Sequence, residues 1–358
     1  MNFNHLKNKK ILITGHTGFV GSWLSMILHL KKIDFYGISL KPHFTNTLYN
    51  AMKRKKIFKK KEFIFDMCEY STLKKKINEI KPDYIFHLAA QSLVGSGYQD
   101  PANTYKNNLL TTLNLLEVLR NINFSTHVLF STTDKVYSTD YPTPFKENSP
   151  LGGKDPYSNS KDISDTMVKN YYNNFLKNKK IAITVFRAGN IIGGADRNKN
   201  RLVTDILNSL ENKKKIYLRA PNYVRPWQHV LDVCNAVLRL SKYSKLKSFF
   251  SIYNLGTKEK KNMTVKNLTN LFCQKYYLNN KKLREATLVH FKKNHINETK
   301  KLILNTRKFH SKFKNVYKLN EKKSIEWTSE WFLREKEGDN NYNITKEQII
   351  KYDIFDKN

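Results

Sequence analysis

Three short segments of this 358-residue chain carry residue types at spacings that chemistry uses. The first is Thr14-Gly15-His16-Thr17-Gly18-Phe19-Val20-Gly21, a G-x-x-G-x-x-G run between an apolar stretch and a helical pattern. In that setting Gly15 permits a tight turn, Gly18 lets the backbone approach a pyrophosphate, and Gly21 lets helix pack on strand. The following helix N-terminus adds unpaired N–H groups and the positive end of its dipole, both suited to phosphate. The second segment is Tyr157-Ser158-Asn159-Ser160-Lys161. Its four-residue spacing puts phenol and ammonium on one helix face. A neighbouring cation favours phenolate, which predicts a Tyr157 pKa below the usual ~10 and proton exchange near neutral pH. The third, Ser131-Thr132-Thr133-Asp134-Lys135, follows a strand pattern and gathers hydroxyl, carboxylate and amine in one turn.

Other polar residues are less decided. An acidic residue for the adenosine ribose is expected about 20 residues beyond the glycines, at the end of the second strand. That strand ends instead in Ser39-Leu40-Lys41, which leaves open whether the 2′-position is a hydroxyl or a phosphate. Asp66, ending the third strand pattern, suits either an adenine amino group or an ordinary turn. His16, His87 and His229 fall on three separate elements, so no metal site is expected from them.

The elements that must position these residues follow from periodicity. Strand patterns at 10–14, 35–40, 62–66, 83–90, 127–131 and 181–187 alternate with helical patterns at 22–30, 72–80, 103–119 and 158–176. Continuous apolar strands separated by helices predict a parallel sheet covered on both faces. The expected fold is therefore α/β, a Rossmann-type doubly wound sheet with its ligand at the carboxyl ends of the strands. The predicted division is residues 1–188, rejoined by a segment near 228–256, and an interleaved smaller α/β domain over 189–358. From Asn340 the segment NNYNIT reads as a loop before a last short helix.

Composition excludes several classes. Hydrophobic residues at 40% with 21 Phe and 20 Tyr supply a packed core, so the chain is not disordered. No apolar run approaches the ~20 residues of a membrane span. The basic N-terminus lacks a signal peptide's apolar core and cleavage site. Three cysteines, without a Cys-x-x-Cys pair, build neither a disulfide framework nor a zinc site. The expectation is a cytoplasmic enzyme without membrane association. The 64 Lys+Arg against 30 Asp+Glu give a net charge of +34, which by itself favours anionic partners. The densest run, KRKKIFKKK at 53–61, has no accompanying nucleic-acid motif. The charge is read as solvated surface, and no nucleic-acid partner is expected.

With these motifs in place the chain resembles the extended short-chain dehydrogenases/reductases, and among them the CDP-glucose 4,6-dehydratases. The matching stretches are TGHTGFVGSWL, HLAAQSLV, TTDKVY, GGKDPYSNSK, RAGNIIGG and RPWQHVLD, and the final third matches loosely. The resemblance implies NAD as cofactor, contacted by Gly15, Thr17, Gly18, Phe19, Val20, Gly21, Ser39, Asp66, Met67, Leu88, Ala89, Ala90, Gln91, Asn108, Tyr157 and Lys161. It implies catalysis by Thr133, Asp134, Lys135, Tyr157 and Lys161. A nucleotide sugar would be held by Asn190, Arg201, Arg225 and His229, with arginine's planar fork suited to the diphosphate. The implied reaction oxidises the hexose at C4, eliminates water across C5–C6, and returns the hydride to C6. Helices 103–119 and 158–176 would pair across a two-fold axis into a homodimer or homotetramer. Four positions depart from the pattern: Val20 for lysine, Ser92 for proline, Gly95 for arginine and Arg197 for tryptophan. A 4-epimerase shares the glycine and Tyr/Lys motifs but has no use for an acid/base pair after Thr133.

Overall fold

A computed structural model of the chain describes residues 1–243, 248–258, 263–277, 289–291 and 300–355. Seven parallel strands form its centre: β1 (Ile11–Thr14), β2 (Phe35–Ser39), β3 (Glu62–Ile64), β4 (Tyr84–His87), β5 (Thr126–Thr133), β6 (Ile181–Ala188) and the late strand Phe249–Leu255. The late strand lies outside β6, and inward from there the order is β6, β5, β4, β1, β2, β3. This is the doubly wound order, and the direction of winding reverses between β1 and β4. Side chains alternate across the sheet with period two. Ile11, Ile13, Phe86 and Leu129 join one buried cluster, whereas Leu12, Ile85, Val128 and Phe130 join the one on the opposite face. Burial on both faces explains why the strands read as continuous apolar runs.

The helices begin where local chemistry favours it. Helix α1 (Phe19–Leu30) starts at Gly18 and buries Trp23, Leu24, Met26, Ile27 and Leu28 against the sheet. Short helices α2 (Leu48–Arg54), α3 (Tyr70–Ile80) and α4 (Val94–Gln99) precede α5 (Pro101–Asn121). Asp100 caps α5 by accepting from the Asn103 N–H, and Pro101 sits where its missing N–H costs nothing. Helix α6 (Pro156–Tyr171) repeats the device with Asp155 and Pro156, and runs on as a π turn over Tyr172–Leu176.

After β6 the chain builds the wall opposite the glycine turn. Strand β7 (Asn190–Ile192) pairs in parallel with Trp227–His229, and α7 (Leu202–Glu211) leads to β8 (Ile216–Leu218). Helix α8 (Val230–Leu240) then packs back against α1, and the chain re-enters the large sheet at Phe249–Leu255. Residues 244–247 of the returning segment lie outside the described residues.

The structure departs from the sequence expectation at the C-terminal segment. The segment from Asn340 is not a loop: Asn340 accepts from the Tyr342 N–H, capping a fourteen-residue helix, Asn341–Ile354. Asparagines that read as turn formers serve here as a helix cap. The basic run at 53–61 begins inside α2, whose Leu48, Tyr49, Ala51 and Met52 are buried. Among the described residues no helix is long and apolar enough to cross a membrane.

Candidate active site

The carboxyl ends of the strands open into a cavity of about 960 Å³. The glycine turn forms one wall. Gly15 has φ +75°, and a Cβ there would fall 2.8 Å from the Ala89 backbone nitrogen. A Cβ on Gly21 would stand 2.2 Å from the Gly15 carbonyl oxygen. Both contacts are with backbone, which cannot give way. Replacing Gly21 with alanine should therefore push α1 off β1 and cost about 1–3 kcal/mol, as overpacked cores do. Thermal unfolding checks this, and an unchanged melting temperature would contradict it.

The first helical hydrogen bond of α1 runs from the Ser22 N–H to Gly18, so the N–H groups of residues 19–21 have no acceptor within the helix. They face a cavity lined by Gly15, Thr17, Gly18, Phe19, Val20 and Gly21, a cradle for phosphate oxygens. Thr17 fixes the turn to the end of β2: its Oγ1 lies 2.8 Å from Ser39 Oγ and donates to the Leu40 carbonyl at 3.0 Å. Ser39, Asp66 and Met67 line the same end, and Leu88, Ala89, Ala90 and Gln91 line the cavity below β4. Asp66 also accepts from the Cys68 N–H, a turn role.

Asn108 lies apart from the other residues expected at the cofactor. It is absent from the lining of the cavity, and its polar atoms are taken up within the protein. Its Nδ2 donates to the Gln91 carbonyl at 3.1 Å and to Ser160 Oγ at 2.9 Å, and its Oδ1 accepts from the Gln91 N–H at 2.8 Å. Asn108 ties the β4 loop to α6.

Thr133, Asp134, Lys135, Tyr157 and Lys161 all line the cavity. Thr133 ends β5 and caps the turn Asp134–Val136, and its Oγ1 donates to Asp134 Oδ1 at 3.1 Å. Asp134 is 1% exposed, and its Oδ2 has no hydrogen-bond partner among the described residues. Burial raises its pKa, against the opposing pull of Lys135, Thr133 and Arg225.

The Tyr157–Lys161 pair differs from the expectation. Burial pushes the Tyr157 phenol up to about 12, while a hydrogen bond to Thr133 and the charge of Arg201 pull it down. The Lys161 ammonium is not what lowers it. Lys161 donates to the Ser131 carbonyl at 2.8 Å, and burial brings its pKa down to about 8 against the opposing charge of Asp165. Spacing put both groups on one helix face, but burial is the largest influence on each of them. Beneath them Asp165 accepts from Thr132 and pairs with the buried Arg187 at 2.7 Å, which anchors α6 to β5 and β6.

The substrate-side residues divide. Asn190, Arg201 and Arg225 line the cavity; the Arg225 guanidinium lies 5.3 Å from the Tyr223 ring centre. His229 stands apart from these three. It is fully buried, accepts from the Leu231 N–H through Nδ1 as the cap of α8, and lies edge-on to Trp23 and Trp327. It does not line the cavity. His16 pairs with Glu62 and His87 with Thr14; among the described residues no group of His, Cys, Asp or Glu is placed to hold a metal ion.

Residues Ala195–Asn198, Asn200 and Arg201 form one stretch of the cavity wall. Arg197 pairs with Glu335, donates to the Asn46 carbonyl at 3.2 Å and stacks on Phe332. At the other end Arg201 donates to Ser92 Oγ at 3.2 Å, and Asn200 packs on Gly95, where a Cβ would lie 3.1 Å from it. Three positions that depart from the resembling pattern, Ser92, Gly95 and Arg197, thus meet in one feature. Arg219 and Tyr217 also line the cavity and were not anticipated. The alternation of β8, which buries Ile216 and Leu218 and exposes Tyr217, was the available signal.

A family model described as GDP-mannose 4,6 dehydratase matches residues 12–327. The CDP-glucose 4,6-dehydratase of Salmonella typhimurium is 34% identical over 270 residues, covering 73% of this chain and 75% of that protein. The dTDP-glucose 4,6-dehydratase of Bacillus anthracis, solved with NAD, superposes with a TM-score of 0.74 at 21% identity, over 92% of this chain and 98% of its own. The UDP-glucuronic acid 4-epimerase of Bacillus cereus, solved with UDP-glucuronic acid and NAD, gives 0.76 at 19% identity, over 91% and 99%. The two structures share the fold, and the family model spans the glycine turn, the Thr133–Lys135 turn and the Tyr157–Lys161 pair. On this evidence the chain belongs to the GDP-mannose 4,6 dehydratase family, among the nucleotide-sugar dehydratases and epimerases of the extended short-chain dehydrogenases/reductases.

Proposed function

We propose that the chain is an NAD-dependent nucleotide-sugar 4,6-dehydratase that acts on CDP-glucose. The observation that carries the reading is Asp134: a buried carboxyl in the cavity, its Oδ2 unpartnered among the described residues, one residue from Thr133 and beside Lys135. An epimerase has no step for such a group. The nucleotide and hexose rest on the 34% identity to the Salmonella enzyme.

The glycine cradle, closed to any Cβ, fits a dinucleotide pyrophosphate, and the N–H groups of residues 19–21 would receive its oxygens. NAD, when bound, would supply the hydride acceptor for this chemistry. Tyr157 takes the proton of the C4 hydroxyl, while Thr133 holds that oxygen in place. The phenolate so formed is favoured by the hydrogen bond from Thr133 and the charge of Arg201, while Lys161, held by the Ser131 carbonyl, would hold the nicotinamide ribose. Oxidation at C4 acidifies the C5 proton. The Asp134–Lys135 pair moves the C5 proton off and delivers a proton to the departing C6 hydroxyl, one group acting as base and the other as acid. Arg201 and Arg225 hold the diphosphate. The expected homodimer or homotetramer would use α5 and α6, whose outer side leaves Ile163 and Phe175 exposed.

Incubation with NAD and a panel of CDP-, dTDP-, GDP- and UDP-hexoses tests the reading. CDP-glucose should give a product lighter by one water. An isomer of unchanged mass from any hexose would identify an epimerase instead.

A further inference from the structure

We propose that Arg197 is a positioning residue for the nucleotide sugar: it fixes the 195–201 segment so that Arg201 meets the diphosphate. This rests on the dehydratase reading above and extends it to a residue outside the reacting groups. Residues 195–201 run between β7 and α7 and belong to neither. Two of them are left-handed, Ala195 with φ +64° and Asn200 with φ +65°. That conformation is uphill for a residue with a Cβ, so the segment keeps its course through the contacts its side chains make.

At one end Arg201 donates to Ser92 Oγ at 3.2 Å and lies 3.6 Å from Asp196, whose Oδ1 accepts from Asn198 Nδ2 at 2.8 Å. At the other end Arg197 reaches two distant parts of the chain. It pairs with Glu335 near the end of the helix Glu321–Lys336, and its Nε donates to the Asn46 carbonyl at 3.2 Å. Its guanidinium also stands 5.4 Å from the Phe332 ring centre. A planar fork that serves two acceptors beside a ring holds one orientation, which a flexible ammonium would not. The two side chains are only 22% and 14% exposed, so salt and water screen the pair less than a surface one.

The far side of this joint is held without Arg197. Asn46 Nδ2 donates to Glu335 at 2.9 Å, and its Oδ1 accepts from Asn341 at 3.1 Å. Asn50 donates to the Phe44 and Thr45 carbonyls at 3.2 and 2.8 Å, and Thr47 caps α2. Loss of Arg197 therefore loosens 195–201 and leaves the 40–48 wall on the dinucleotide side in place. With the anchor gone, Arg201 spends part of its time displaced, and a bound diphosphate draws it back. The cost of that reordering is taken from substrate binding, so it appears in KM and not in kcat.

Steady-state turnover of CDP-glucose by the full chain with NAD, together with calorimetric titration of NAD, tests the proposal. Arg197→Ala should raise KM for the nucleotide sugar about tenfold, the effect of a segment correctly placed about a tenth of the time. Its kcat should stay within about threefold of wild type and its NAD affinity within about twofold. Arg197→Lys, which keeps the charge but not the fork, should fall between. Adding Glu335→Gln to Arg197→Ala should change KM little further, since both act through one contact. An unchanged KM in Arg197→Ala would overturn the proposal. So would a variant that loses kcat and NAD affinity together, the mark of general loosening. Wild type that turns over none of the CDP-, dTDP-, GDP- or UDP-hexoses would overturn the dehydratase reading itself, and the proposal with it.

Discussion

Replacing Asp134 with asparagine and Lys135 with methionine together should slow water loss about 10²–10⁴-fold, the usual value of a general acid/base group, while leaving oxidation at C4 intact. The two substitutions remove the buried carboxyl and its neighbouring amine without touching Tyr157 or the glycine turn. Asparagine keeps the shape of Asp134 and the bond from Thr133, so the turn over Asp134–Val136 should hold. Absorbance of reduced nicotinamide should rise on adding substrate to a level matching the enzyme and then persist, while mass spectrometry shows little dehydrated product. A double variant that dehydrates at the wild-type rate would make Asp134 a turn residue and Lys135 a surface charge.

Tyr157→Phe should stop the reaction one step earlier. Without the phenol nothing takes the C4 hydroxyl proton, so neither the absorbance nor the dehydrated product should appear, with a loss again of about 10²–10⁴-fold. Phenylalanine fills the same volume in a site that is 9% exposed, so fold and dinucleotide affinity should survive. The contrast between the variants is the informative result, since one should stall after oxidation and the other before it. Equal behaviour would place Asp134 and Lys135 in the same step as Tyr157.

What the chain revealed before its structure was known depended on distance along the sequence. The glycine turn, the Thr133–Lys135 turn and the Tyr157–Lys161 pair are each local, so strand and helix periodicity positioned them without tertiary information. The parallel sheet was legible for the same reason: strands buried on both faces leave continuous apolar runs. Tertiary facts were not legible. The Tyr157 phenol rises because neighbouring elements remove water from around it, which i, i+4 spacing cannot report. His229 stands in the motif that also holds Arg225, yet Trp227–His229 is buried throughout and its histidine turns into the core. Arg197 finds Glu335 138 residues away, a partnership that no local pattern encodes. Asn340 and Asn341 looked like a turn because cap and turn use the same side chain for the same bond.

The internal redox cycle is tested most directly by following a label. CDP-glucose carrying deuterium at C4 is incubated with the chain and catalytic NAD, and the product is analysed by mass spectrometry and NMR. The account predicts a product lighter by one water that carries the deuterium at C6, with no net growth of reduced nicotinamide. Deuterium appearing in free reduced nicotinamide, in step with product, would contradict it and mark a simple dehydrogenase. Deuterium retained at C4 of an isomer of unchanged mass would contradict it equally.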